Sequence, residues 1–106
     1  MLMVITETMK KEGISFPDLR IAAYGGASTP LVLYNTLIKL GLPPAEGFGL
    51  TEGSPAVLLN PIGKSRALSC GMPISGVECR VVDEEGNDLP VGEVGELIFR
   101  GPNMMK

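Results

Sequence analysis

Apolar residues first recur at helical spacing over residues 1–11, where Leu2, Val4, Ile5 and Met9 fall near one face of a predicted helix. Gly13 is placed to cap it, and 15–18 reads as a turn around Pro17. The apolar run 19–24 predicts a buried strand that runs straight into Gly25-Gly26. A second helix is predicted over 30–40. Ser28 or Thr29 would be its N-cap and Pro30 its first residue, with Leu33, Leu37, Ile38 and Leu40 turned inward. Gly41 ends it and Pro43-Pro44 keep it from resuming, so that a short strand over 45–48 follows. Strand, helix and strand make one βαβ unit, whose parallel strands offer their C-terminal ends to a ligand.

Beyond Pro55 the pattern changes. Residues 56–59 are a short apolar piece, 60–63 turn, and Lys64-Ser65-Arg66 is a solvated patch. Gly71, Pro73 and Gly76 break up the next stretch. Val77, Cys79 and Val81 alternate with Glu78 and Arg80, which predicts a half-buried strand. Residues 83–87 read as a hairpin turn, Gly92 and Gly95 flank another, and 96–100 alternates as a further strand. An α/β half thus gives way to an all-β half, with a boundary expected near 61–69.

Composition narrows the function classes. The chain has 106 residues, 44% hydrophobic, with 14 glycines and 9 prolines, which is globular and turn-rich material. Its net charge of −3 and lack of a basic cluster argue against a nucleic-acid partner. No apolar run approaches the length of a membrane span, and no signal peptide is evident, which favours the cytoplasm. With no histidine, a His-based triad or a Cys/His zinc site is excluded within these residues, and Cys70 and Cys79 read as buried thiols. Glu93 and Glu96 flank turn glycines and read as structural rather than as an acid/base pair.

The densest chemistry lies in Gly47-Phe48-Gly49-Leu50-Thr51-Glu52-Gly53-Ser54-Pro55. Its glycines let the backbone turn tightly and approach a ligand. A flat ring can stack on a base, a hydroxyl can bond a phosphate oxygen, and a carboxylate can hold Mg²⁺. The nonapeptide taken alone also fits a plain Gly/Ser/Pro surface loop. The surroundings add Tyr24-Gly25-Gly26-Ala27-Ser28-Thr29-Pro30 upstream, and Gly71-Met72-Pro73, 81–87, 90–97 and Arg100-Gly101-Pro102 downstream. In this order and spacing, from about Leu19 to Lys106, the chain resembles the adenylate-forming (AMP-binding) superfamily. Its wording is most similar to the AMP-forming fatty-acid and acyl-CoA synthetases.

The resemblance implies a fold and a chemistry. Residues 1–62 would be part of the α/β adenylate-binding subdomain, one βαβ unit of a larger sheet. Residues 63–106 would be part of a distorted β-barrel subdomain. The family joins a carboxylic acid, here expected to be a fatty acid, to ATP as an acyl-adenylate and releases pyrophosphate. It then passes the acyl group to coenzyme A. Carried over by position, Gly25, Gly26, Ala27, Gly47, Phe48 and Gly49 would line the nucleotide and acyl sites. Phe48 stands where the family usually has tyrosine, so stacking survives and a phenolic hydrogen bond does not. Thr51 would bind the α-phosphate and Glu52 would hold Mg²⁺, which makes them the expected catalytic pair. The family's upstream phosphate loop and its downstream ribose-binding acid, hinge and catalytic lysine are absent from these residues. The chain is therefore expected to be an internal fragment of an acid–thiol ligase, inactive alone and prone to self-association through unpaired strand edges. A non-catalytic nucleotide-binding or structural module is the alternative.

Overall fold

The computed structural model describes residues 1–105. Helix α1 spans Leu2–Glu12 and ends at Gly13, whose φ of 66° is the left-handed cap conformation that glycine adopts freely. Its buried line is Leu2, Thr6 and Met9, one helical stripe, and not the expected set: Val4 is 63% exposed and Ile5 also faces solvent. Thr6 tolerates burial because its hydroxyl donates to the Met3 carbonyl one turn back (2.8 Å).

Strand β1 spans Ala22–Gly25, later than predicted, because 16–19 is taken by a turn closed by Leu19 N–H on the Phe16 carbonyl. Helix α2 spans Leu31–Lys39, and Pro30 is its N-cap residue rather than its first helical one. The ψ of 141° at Pro30 is extended, while its carbonyl already accepts from Leu33 and Tyr34. No side chain caps this end, so the expected Ser28 or Thr29 cap is not formed. Leu37 is fully buried, whereas Ile38, one residue on, is 52% exposed. Strand β2 spans Pro44–Gly49 and pairs in parallel with β1, from Ala22↔Pro44 to Gly25↔Gly47. The βαβ unit is thus present, over a core of Met9, Leu37 and Leu42.

Strand β3, Ala56–Leu59, runs antiparallel to β2. Strand β4, Met72–Pro73, adds to its far side, where only breakers had been read. Proline is tolerated because β4 is an edge. Gly71 (φ 91°) brings it in, since a Cβ there would lie 2.1 Å from the Leu59 carbonyl carbon. A second sheet pairs β5, Glu78–Val82, with β6, Glu96–Arg100, antiparallel. The sheets are one of four strands and one of two, and no closed barrel forms among the described residues. Val57, Leu58 and Val77 form a second core, packed by Cys79 and Phe99 from the smaller sheet.

Candidate functional site

Parallel pairing sets the first feature of the site. Register places Gly25 directly beside Gly47, so the glycine runs that follow β1 and end β2 emerge at the same sheet end. The pairing itself demands glycine: a Cβ on Gly25 would sit 2.7 Å from the Gly47 carbonyl oxygen. Gly26, at φ 87°, has nothing within 4 Å of a Cβ position and leaves open space at the strand end. At Gly49 the β2–β3 register shifts, and a Cβ would come within 1.7 Å of the Pro55 carbonyl oxygen. The bulge turns the chain out of the sheet into Leu50 and a single 3₁₀ turn, Thr51–Gly53.

A cavity of about 370 Å³ opens here, lined by Gly26, Ala27, Gly47, Phe48 and Gly49 together with Ser28, Glu46, Leu68 and Cys70. A shallower hollow of about 430 Å³ reaches the same glycines from the β3 side and takes in Gly25 and Tyr24. All six glycine-run and ring positions expected from the sequence are therefore brought together. Thr51 and Glu52 line neither space; both are exposed on the turn beyond Gly49. Phe48 is 40% exposed and stacks on Phe99 of β6, with centroids 5.9 Å apart and planes at 23°.

Several site residues had no sequence signal. Asn60, read as a turn residue, is buried and joins three segments. Its Nδ2 donates to the Glu46 and Ser69 carbonyls, and its Oδ1 accepts from Arg66 N–H. It holds loop 61–71 so that Leu68 and Cys70 face the cavity. Glu46 accepts from the N–H of buried Thr29 (3.3 Å) and thereby ties the turn after β1 to β2. Among the described residues two non-glycines adopt left-handed φ: Leu68 at 60°, which lines the cavity, and Ser54 at 49°, which ends the Thr51–Gly53 turn. Strain of this kind costs about 1–3 kcal/mol and gathers where surrounding structure enforces it. Burial, offset in part by the Thr29 side chain, pushes the Tyr24 phenol above its ordinary pKa. Both cysteines are free and half-buried rather than fully buried, and desolvation, then the neighbouring Cys70, raises the Cys79 thiol.

Donor chemistry decides which groups this site can hold. Among the described residues no cluster of three metal-ligating side chains exists. Glu52 is an exposed carboxylate outside any ion pair among the described residues. Magnesium fits such a donor, since it binds through one or two carboxylates and takes its other ligands from water and phosphate. The cavity is walled by glycine backbone and by the Phe48 ring, surfaces of the kind on which a flat base stacks.

A model of the AMP-binding enzyme family matches residues 1–106. The chain belongs to the AMP-binding enzyme family. A long-chain-fatty-acid–CoA ligase of Escherichia coli is 36% identical over 94 residues, which is 87% of this chain and 17% of that protein. An anthranilate–CoA ligase of Pseudomonas aeruginosa is 37% identical over 88 residues, 82% of this chain and 17% of that one. Among solved structures, O-succinylbenzoate coenzyme A synthetase from Bacillus subtilis, in complex with ATP and magnesium ion, superposes with a TM-score of 0.83 at 25% identity. That match covers 97% of this chain and 22% of the synthetase. The chain thus spans about a fifth of the length of such family members.

Proposed function

We propose that this chain supplies the adenine-facing wall and the phosphate- and metal-facing turn of an AMP-forming acid–CoA ligase. The observation that carries the reading is the Gly25↔Gly47 register, which lays both glycine runs along one cavity and sends the chain on into Thr51-Glu52. Gly25, Gly26, Ala27, Gly47 and Gly49 would let a nucleotide lie close to backbone, and Phe48 would stack on its base. Thr51 would donate to the α-phosphate. Glu52 would hold the Mg²⁺ that offsets charge as a carboxylate attacks that phosphate. The bound ATP would supply the leaving pyrophosphate, and coenzyme A would take the acyl group.

A fatty acid is the favoured acid, supported by the Escherichia coli relative; the anthranilate ligase, equally similar, is the case for an aryl acid. We assign 1–62 to the α/β subdomain and 63–106 to a β-barrel subdomain that β5 and β6 would help build, with β4 reaching back to edge the first sheet. A cytoplasmic setting suits the two free cysteines. Thr51 and Glu52 stand outside the cavity, which favours an isolated chain that binds nucleotide and performs no turnover. Titrating the ¹⁵N-labelled chain with Mg²⁺ and AMP tests the reading. Amide shifts are expected at 25–27 and 47–52, weakened in Thr51→Ala and Glu52→Gln. A folded chain whose amides stay still at millimolar AMP refutes it and leaves a structural module.

A further inference from the structure

We propose that Asn103 is a positioning residue for Glu52. With the backbone N–H of Met105, its side-chain amide grips the Thr51–Gly53 turn from behind and fixes the backbone from which the carboxylate reaches out. The inference rests on the reading of that turn as metal-facing.

Accounting for the backbone of the turn leads to it. Within the turn, Gly53 N–H donates to the Leu50 carbonyl (2.9 Å) and Ser54 N–H to the Thr51 carbonyl (3.3 Å). The carbonyls of Glu52 and Gly53 have no partner inside so short a helix. Both are satisfied from the segment after β6: Met105 N–H donates to Glu52 (2.7 Å) and Asn103 Nδ2 to Gly53 (2.6 Å). The same Nδ2 lies 3.5 Å from the Ala56 carbonyl oxygen. These donors come from roughly fifty residues away, in a turn closed by Met104 N–H on the Gly101 carbonyl.

The grip adds outside anchors to a turn held by two bonds of its own and by packing on one side. Buried Gly53 cannot move inward, since a Cβ there would already meet Val57 Cγ1 at 2.5 Å. Ser54 leaves the turn at a left-handed φ of 49°, a conformation that needs support from its neighbours. The Glu52 side chain is exposed, so the backbone beneath it sets where its Cβ lies and thus the region its carboxylate can reach. Asn103 also has the right chemistry: both atoms facing its Nδ2 are carbonyl oxygens, which require a donor.

Asn103→Asp replaces that donor by an oxygen at nearly constant volume. The experiment is calorimetric titration of the 106-residue chain with ATP, with Mg²⁺ and in its absence. In the wild type, Mg²⁺ is expected to tighten ATP binding. In Asn103→Asp that gain is expected to fall about tenfold, the low end for groups that orient a metal's ligands, while metal-free binding holds. Asn103→Ala, which removes the whole amide and adds no charge, gives the same reading if the aspartate variant fails to fold. An unchanged Mg²⁺ gain in the variant overturns the proposal. So does an equal loss with and without Mg²⁺, which would mark a merely structural contact. A wild-type chain that binds no ATP overturns the functional reading itself, and this inference with it.

Discussion

Gly49 shows how much a single position decides. A Cβ there would overlap the Pro55 backbone, and backbone cannot swing aside as a side-chain tip does. Gly49→Ala is expected to destabilise the chain by about 3 kcal/mol, the upper end of overpacking costs. Gly63→Ala is the control: its φ of 72° is left-handed but the space is open, so strain alone remains, about 1–2 kcal/mol. Urea unfolding midpoints check the ranking, and equal losses would mean that the bulge relaxes around the methyl. The glycines of the site were legible in the sequence: Gly47 and Gly49 cluster beside a ring and a carboxylate, and Gly25 and Gly26 end an apolar run ahead of Ser28-Thr29-Pro30. Asn60 and Asn103 were not. An asparagine's partners are carbonyls chosen by the tertiary fold, and nothing local to either residue announces them.

At the level of elements, the turn between β5 and β6 came out of the sequence well. Asp83 Oδ1 accepts from the N–H of Glu85 (3.0 Å) and of Asn87 (2.8 Å), Oδ2 accepts from Asn87 Nδ2 (3.1 Å), and Gly86 sits at φ 85°. These donors, the Asn87 N–H foremost and then its side chain, hold the Asp83 carboxyl below its ordinary pKa. A depressed carboxylate stabilises the fold above the unfolded-state value of about 3.9 and loses that contribution as pH falls through the folded value. An NMR titration of Asp83 should therefore show a midpoint below about 3.9, and a midpoint at or above it would contradict the turn geometry. The helices were less legible. Their existence was clear, yet Val4, Ile5 and Ile38 proved exposed, because an apolar residue near a stripe is not on it unless a partner element covers that side. Strand β4 was read as breakers, since an edge pairing of two residues leaves no periodicity.

The whole molecule is open for its size. Its accessible surface is 7825 Å², against about 5,700 Å² for a compact monomer of this mass. Its radius of gyration is 16.1 Å, against about 13 Å for a compact domain of this length. Part of the excess is apolar: Met3 and Val4 on α1, and Val32 and Ile38 on α2, all face solvent. The sheet order β1-β2-β3-β4 also leaves an outer edge on β1. Self-association is the expected outcome in solution. Light scattering over a tenfold concentration range should show mass rising above that of one chain, and a constant monomer mass would rule it out.

Short-range pattern was enough for the βαβ unit, the strand over 77–81, the glycine runs and the family, since apolar period, glycine and proline punctuation and a fixed order of motifs spell each of them out. Which apolar faces are covered, that Gly25 stands beside Gly47, and that residues 103–105 reach back to the Glu52 turn emerge first in three dimensions. Those facts depend on strand register and on hydrogen bonds between segments fifty or more residues apart. Local composition carries no record of which carbonyl a distant amide will find.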